Sequence, residues 1–174
     1  MLKIIAIAFA VVVAAILIFA ATRPDTFRVE RKLLIKAAPE KIHAEINDFY
    51  RWNGWSPWET KDLKMKRSFS GTSNGVGAVY GWEGDQNVGT GRMEIIESTP
   101  EKIRIKLDFL KPFEAHNMAT FTLTPQGDST EVSWVMDGPA PYVTKVIQLF
   151  CSMDKMVGDD FETGLANLKT ITEK

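Results

Sequence analysis

Residues 142–171 read YVTKVIQLFCSMDKMVGDDFETGLANLKTI, and their spacing decides the fold. Val146, Leu149, Phe150, Met153, Met156, Val157, Phe161, Leu165 and Leu168 recur at steps of three and four, the signature of one apolar helix face. The pattern predicts a single helix of about thirty residues, far above the usual length. An apolar stripe that long needs a long groove to cover it, and a strongly curved sheet supplies one. Gly138-Pro139-Ala140-Pro141 separates this helix from what precedes it.

Upstream the period is two. Met65–Phe69, Gly77–Trp82, Val88–Glu97, Lys102–Phe109, His116–Thr124 and Thr130–Met136 are strand candidates. They are separated by turn-forming stretches such as Gly71–Gly75, Gly84–Asn87 and Pro125–Asp128. Short strands joined by hairpin-length turns form an antiparallel meander. Ile103, Ile105, Leu107 and Phe109 alternate with Arg104, Lys106 and Asp108, as in a half-buried sheet. Before the meander, Phe27–Ile35 reads as a first strand. Pro39 and Glu40 then open an amphipathic helix carrying Ile42, Ile46, Phe49 and Tyr50. The stretch Arg51–Glu59 adds a short helical turn or tight loop. The whole is an α+β domain with seven strands over residues 23–174.

Ile4–Ala21 is eighteen residues without one polar side chain. At about 1.5 Å per residue it nearly crosses a hydrocarbon core of about 30 Å. Residues 1–22 are therefore expected to be a transmembrane anchor. A cleaved signal peptide is the rival reading. It is disfavoured by the length of the apolar run and by the bulky Ile18 and Phe19 at the −3 place for cutting after Ala20 or Ala21. Lys3 favours a cytoplasmic N-terminus, whereas Arg23, Arg28, Arg31 and Lys32 oppose it. The expectation is a single-pass membrane protein with its domain outside the cytoplasm.

The formal net charge of −1 argues against a nucleic-acid partner held through phosphates. Two distant histidines and one cysteine form no metal cluster, and no cofactor motif is present. Val88-Gly89-Thr90-Gly91 lies in a hairpin strand, not before a helix, and is no dinucleotide fingerprint. Cys151 has no recognisable base nearby and reads as a packed, inert thiol. His116 is the one weak catalytic candidate, as a general base if it faces a cavity.

Trp52, Trp55 and Trp58 recur every three residues and cannot all be exposed cheaply. They plug the space between sheet and helix or line a ligand entrance. Trp55, Trp58, Trp82, Met93, Phe109, Trp134, Phe150 and Met153 are the candidate ligand-binding set, with the methionines as adaptable apolar surface.

The order of elements is that of the helix-grip fold. The motifs RWNGWSPW at 51–58, YGWEG at 80–84 and VGTGRM at 88–93 resemble bacterial members of the polyketide cyclase/dehydrase-like branch of the SRPBCC (START-like) superfamily. The resemblance spans roughly Phe27 to Glu173. It implies a seven-stranded curved antiparallel sheet wrapped around the long C-terminal helix, with a cavity between them, and it does not imply one reaction. The expected function is membrane-tethered binding of a hydrophobic small molecule or lipid. The alternatives are a polyketide cyclase/dehydratase-like enzyme and an interaction module whose cavity is filled.

Overall fold

The structure, a computed structural model, describes residues 1–150 and 152–174; Cys151 lies outside the described residues, and so does its reading as a packed thiol. Helix α1 (Leu2–Ala21) precedes strand β1 (Thr26–Ile35). Helix α2 (Pro39–Ile46), a 3-10 turn (Phe49–Gly54) and the short α3 (Trp58–Lys61) follow. The meander is β2 (Lys66–Gly71), β3 (Ala78–Glu83), β4 (Thr90–Thr99), β5 (Lys102–Lys111), β6 (Ala115–Gln126) and β7 (Ser129–Pro139). Helices α4 (Tyr142–Gln148) and α5 (Met153–Thr172) close the chain.

All seven strands join one sheet in the order β1-β7-β6-β5-β4-β3-β2, each pair antiparallel. Register shifts at Thr90/Gly91 and Ile95/Glu97 bend β4, as extra residues in one strand of a pair do. Gly91 also admits its neighbour: a Cβ there would lie 2.4 Å from the Trp82 ring and 2.5 Å from the Asp108 carbonyl oxygen. The curved sheet grips α5, which buries Phe161, Leu165 and Leu168 against it.

The segment read as one helix from Tyr142 to Ile171 is two. Ser152 is extended, and its hydroxyl accepts the Lys155 N–H, so α5 starts with its own N-cap. The break changes which residues the stripe buries. Phe161 and Leu165 are covered, Met153 and Val157 are partly covered, and Phe150 and Met156 stand in solvent.

Local chemistry sets the other elements. Pro39 occupies the first turn of α2, where its missing N–H costs nothing. The Asp48 carboxylate accepts the Tyr50 N–H at 2.9 Å and starts the 3-10 turn. That turn directs Trp52 and Trp55 inward, where their indoles donate to the carbonyls of Ile46 (2.9 Å) and Glu45 (3.2 Å). Helix α1 is the one described helix long and apolar enough to cross a membrane, and nearly all of it is exposed.

Candidate functional site

The tryptophans meet at the centre of the grip. Trp55 and Trp52 lie 4.7 Å apart between ring centroids, Trp55 and Trp134 5.6 Å, and Trp58 and Trp134 5.7 Å. Phe121 and Phe161 complete the cluster on either side of Trp134. Trp55 and Trp134 are buried, and the space between α5 and the mid-sheet is occupied by these rings. The Trp134 indole N–H is buried without a protein partner among the described residues.

Of the residues singled out from the sequence, Trp55, Trp58 and Trp134 belong to this centre, and Met153 is partly buried against the core. Trp82, Met93 and Phe109 form a second patch further along the sheet. There the Trp82 and Phe109 rings meet edge to face at 5.7 Å, and Met93 is buried across from Tyr80. Phe150 belongs to neither, because it precedes the Ser152 break and projects outward. His116 stands on the outer face of β6, opposite Asp108 of β5, and does not face the groove. Its Nδ1 lies 2.7 Å from the Asp108 carboxylate, and this hydrogen bond raises the imidazole pKa above its ordinary value.

The open cavity lies to one side of the aromatic centre, between the 3-10 turn, α3 and the β2–β3 hairpin. It has a volume of about 410 Å³ and is walled by Phe49, Tyr50, Asn53, Glu59, Thr60, Arg67, Phe69 and Tyr80. Phe49 is the partition: its ring packs 5.3 Å from Trp52 on one side and 5.9 Å from Tyr80 on the other. Tyr50 and Phe69 stack at 4.1 Å to form the outer lip.

The floor of this cavity is polar. Glu59 on α3 is buried, and both of its carboxylate oxygens are held. Oε1 accepts the Tyr80 hydroxyl at 2.7 Å and Oε2 accepts the Arg67 Nε–H at 2.6 Å. Arg67 also donates to the carbonyls of Met65 and Glu59. Burial, and then the bond to Glu59, push the Tyr80 phenol well above its ordinary pKa, so Tyr80 remains a neutral donor. Arg67 is held charged by the Glu59 bond. The three polar groups thus satisfy one another inside an aromatic wall, which suits a flat or apolar ligand better than an ion.

Sequence reasoning missed this triad. Glu59 follows Trp58 in the quoted motif, but only the β2–β3 register, with Arg67 opposite Trp82 and Phe69 opposite Tyr80, brings Arg67 and Tyr80 to it. Among the described residues no group of three or more histidine, cysteine or acidic side chains is placed to hold a metal.

Residues 26–173 match the family model described as polyketide cyclase / dehydrase and lipid transport. The chain belongs to that family. Membership makes residues 26–173 a ligand-binding or cyclase-like domain of the SRPBCC type. Solved structures agree with the fold at low sequence identity. Protein CV1439 from Chromobacterium violaceum superposes with a TM-score of 0.61 at 18% identity, covering 87% of this chain and 99% of its own. A major latex-like protein from Panax ginseng gives 0.62 at 11%, covering 87% and 100%. The di-domain ARO/CYC protein StfQ of the steffimycin biosynthetic pathway gives 0.63 at 12%, covering 85% of this chain and 51% of StfQ. No curated protein matches the chain significantly.

Proposed function

We propose that this family member binds a hydrophobic small molecule or lipid while α1 holds it in a membrane as a single-pass anchor with the domain outside the cytoplasm. The observation that carries the reading is the cavity of about 410 Å³ between four aromatic side chains, Phe49, Tyr50, Phe69 and Tyr80. Its volume is in the range of small-molecule sites. Each aromatic wall offers area that a ligand removes from water, at roughly 25 cal/mol per Å². The ligand enters past Tyr50 and Phe69 and meets Phe49. Displacement of that ring would extend the site toward Trp55, Trp58, Trp134 and Met153, where the unpaired Trp134 N–H can receive an acceptor atom. Trp82, Met93 and Phe109 form a second apolar patch on the same sheet. Phe150, exposed beyond this space, takes part only through the surface. The polar floor and the apolar walls together favour an amphiphile or a polycyclic ring system over a sugar or a nucleotide.

The alternative is cyclase- or dehydratase-like catalysis, and the observation favouring it is a buried carboxylate, Glu59, in the cavity wall. Acid/base work by Glu59 requires a substrate to displace Tyr80 or Arg67, since both oxygens are engaged.

The test uses the full chain in nanodiscs. Fatty acids, isoprenoids and polycyclic aromatics are titrated while tryptophan emission is followed, and lipids that co-purify are extracted for mass spectrometry. At least one class should bind saturably, and Phe69→Asp should weaken it about tenfold, equivalent to ~1.4 kcal/mol. A panel that leaves the emission unchanged, with nothing co-purifying, overturns the binding reading. Turnover of a polyketide-like substrate that Glu59→Gln abolishes would favour the enzyme.

A further inference from the structure

Helix α4 is inside out. At about 100° per residue, Tyr142, Val143, Val146, Ile147 and Phe150 fall on one arc, and Thr144, Lys145 and Gln148 on the other. In a soluble domain the first set would face the core. Here Lys145 is buried, with its ammonium paired to the Asp25 carboxylate, and the Gln148 amide nitrogen is also turned inward. Tyr142, Val143, Ile147 and Phe150 are exposed.

What lies beside that face is α1. The Tyr142 hydroxyl donates to the Leu17 carbonyl at 2.7 Å. Leu17 precedes the end of α1 by four residues, or about 6 Å along the axis, so α4 lies alongside the last turn of the apolar helix. Arg23 caps the same region, its guanidinium 4.7 Å above the Phe19 ring.

The sheet topology extends the pattern. The start of β1, the end of β7, the β5–β6 turn, the β3–β4 turn and the start of β2 share one end of the sheet. It is the end from which α1 departs. Beyond residue 21, the four most exposed large apolar side chains described are Leu63 (84%), Phe113 (76%), Phe150 (70%) and Val143 (67%). Phe113 is in the β5–β6 turn. Leu63 follows Asp62, which accepts the Asp85 N–H of the β3–β4 turn at 2.9 Å. Val143 is in the first turn of α4, and Phe150 follows its end. All four belong to that end, whereas the exposed Leu34 and Val76 mark the opposite end.

We propose that this end of the domain is a membrane-docking face: α4 lies in the bilayer interface with Tyr142, Val143, Ile147 and Phe150 toward the acyl chains, and the Phe113 and Leu63 tips dip in beside it. The proposal rests on α1 being an uncleaved anchor, which fixes α4 at the depth of its last turn. Amphipathic helices with an outward apolar face and an aromatic at the headgroup level take this position. The domain is then held against the lipid surface instead of swinging on the Thr22–Asp25 joint.

The experiment uses the full chain with Cys151→Ser and one new cysteine at a time. Val143→Cys, Phe150→Cys and Phe113→Cys probe the face, Leu34→Cys and Val76→Cys the far end, and Val11→Cys the anchor. Each is labelled with a polarity-sensitive fluorophore and reconstituted in phosphatidylcholine/phosphatidylglycerol vesicles with or without spin-labelled lipid quenchers. The three face positions should show blue-shifted emission that the quenchers reduce several-fold relative to Leu34 and Val76. If Val11 is quenched and the face positions remain as water-exposed as the far end, the docking face is overturned and the anchor stands. If the face positions are shielded from water but not quenched, as burial against a second copy would give, docking is overturned. If Val11 is not in the lipid, or α1 is missing from the mature chain, the anchor and the docking face fall together.

Discussion

The indole of Trp134 lies flat on the ring of Phe161, with centroids 4.1 Å apart and planes 8° from parallel. This contact joins strand β7, second in the sheet beside β1, to helix α5 and closes the grip. Both residues are nearly inaccessible to solvent. Phe161→Ala should therefore lower unfolding stability by about 3–5 kcal/mol, the range for emptying a buried phenylalanine site. Denaturant unfolding of the detergent-solubilised chain, followed by tryptophan emission, measures it. A loss under about 1 kcal/mol would mean that α5 is held by something other than its apolar face.

One turn along α5, Gly164 lets the same indole pass. A Cβ at Gly164 would sit 2.7 Å from a Trp134 ring carbon and 3.2 Å from Pro57 Cδ. The indole cannot retreat without moving Trp58 or Phe161, both of which pack on Trp134. Gly164→Ala is expected to cost about 1–3 kcal/mol, as overpacking does. Gly54, with open space around its Cβ position, is the control; Gly54→Ala should stay within about 0.5 kcal/mol of wild type. Equal effects from the two substitutions would contradict this packing.

The fold was legible because its signals are periodic. Period two through Ile103, Ile105 and Leu107, and steps of three and four through Phe161, Leu165 and Leu168, both name buried faces that the structure confirms as buried. The break at Ser152 was hidden because apolar residues continue on either side of it, although Ser152 is a good N-cap with an acidic residue, Asp154, in the first turn. The site was much less legible. Trp52, Trp55 and Trp58 announced burial by composition alone, but whether they line a space or fill it depends on ring orientations set by three separate elements. The Glu59–Arg67–Tyr80 contact is a product of strand register, and a charged residue beside a tryptophan carries no mark of which way it points.

The two histidines should titrate on opposite sides of their ordinary value of 6.5. His116 is raised, chiefly by its hydrogen bond to Asp108. Its contribution to stability is full below the unfolded pKa and is lost as pH rises through the higher folded value. His43 is lowered, chiefly by burial, against an opposing backbone bond at Thr99. Its contribution is full above the unfolded pKa and is lost as pH falls through the lower folded value. Imidazole proton shifts followed by NMR across this pH range read both midpoints. Asp108→Asn should bring the His116 midpoint down while leaving that of His43 in place. Coincident midpoints in the wild type would sink the assignment.

Intact protein is expected to remain in the membrane fraction after alkaline carbonate washing, because α1 is twenty residues long and lacks a polar side chain from Ile4 onward. Val11→Arg places a charge near mid-helix, where insertion becomes less favourable by about 2.5–3.5 kcal/mol. It should shift a substantial fraction of the chain to the soluble fraction. A mature N-terminus near Thr22, found by mass spectrometry, would instead mean that α1 is a removed signal sequence.

The cavity floor provides the last prediction. Glu59 Oε1 accepts from Tyr80, and Oε2 from Arg67, so removing any one member leaves a buried polar atom with one bond fewer. Glu59→Gln, which keeps the shape but loses the charge, should cost about 1.5–3 kcal/mol, the range for hydrogen bonds to charged groups. Tyr80→Phe should cost about 1 kcal/mol. The double variant should cost less than the sum, with a coupling of at least ~0.5 kcal/mol, since the two share one bond. The same bond, with burial as the larger cause, raises the Tyr80 phenol above its ordinary value of 10.0. The Tyr80 phenol should accordingly resist alkaline ionisation in an ultraviolet titration, and Tyr80→Phe should delete that late-titrating phenol. In Glu59→Gln the Tyr80 ionisation should move down toward 10.0, because the negative neighbour is gone while the burial remains. Additive energies together with the absence of any late-titrating phenol would show that Glu59 and Tyr80 do not hold each other in solution, and the polar floor assigned to the cavity would then be wrong.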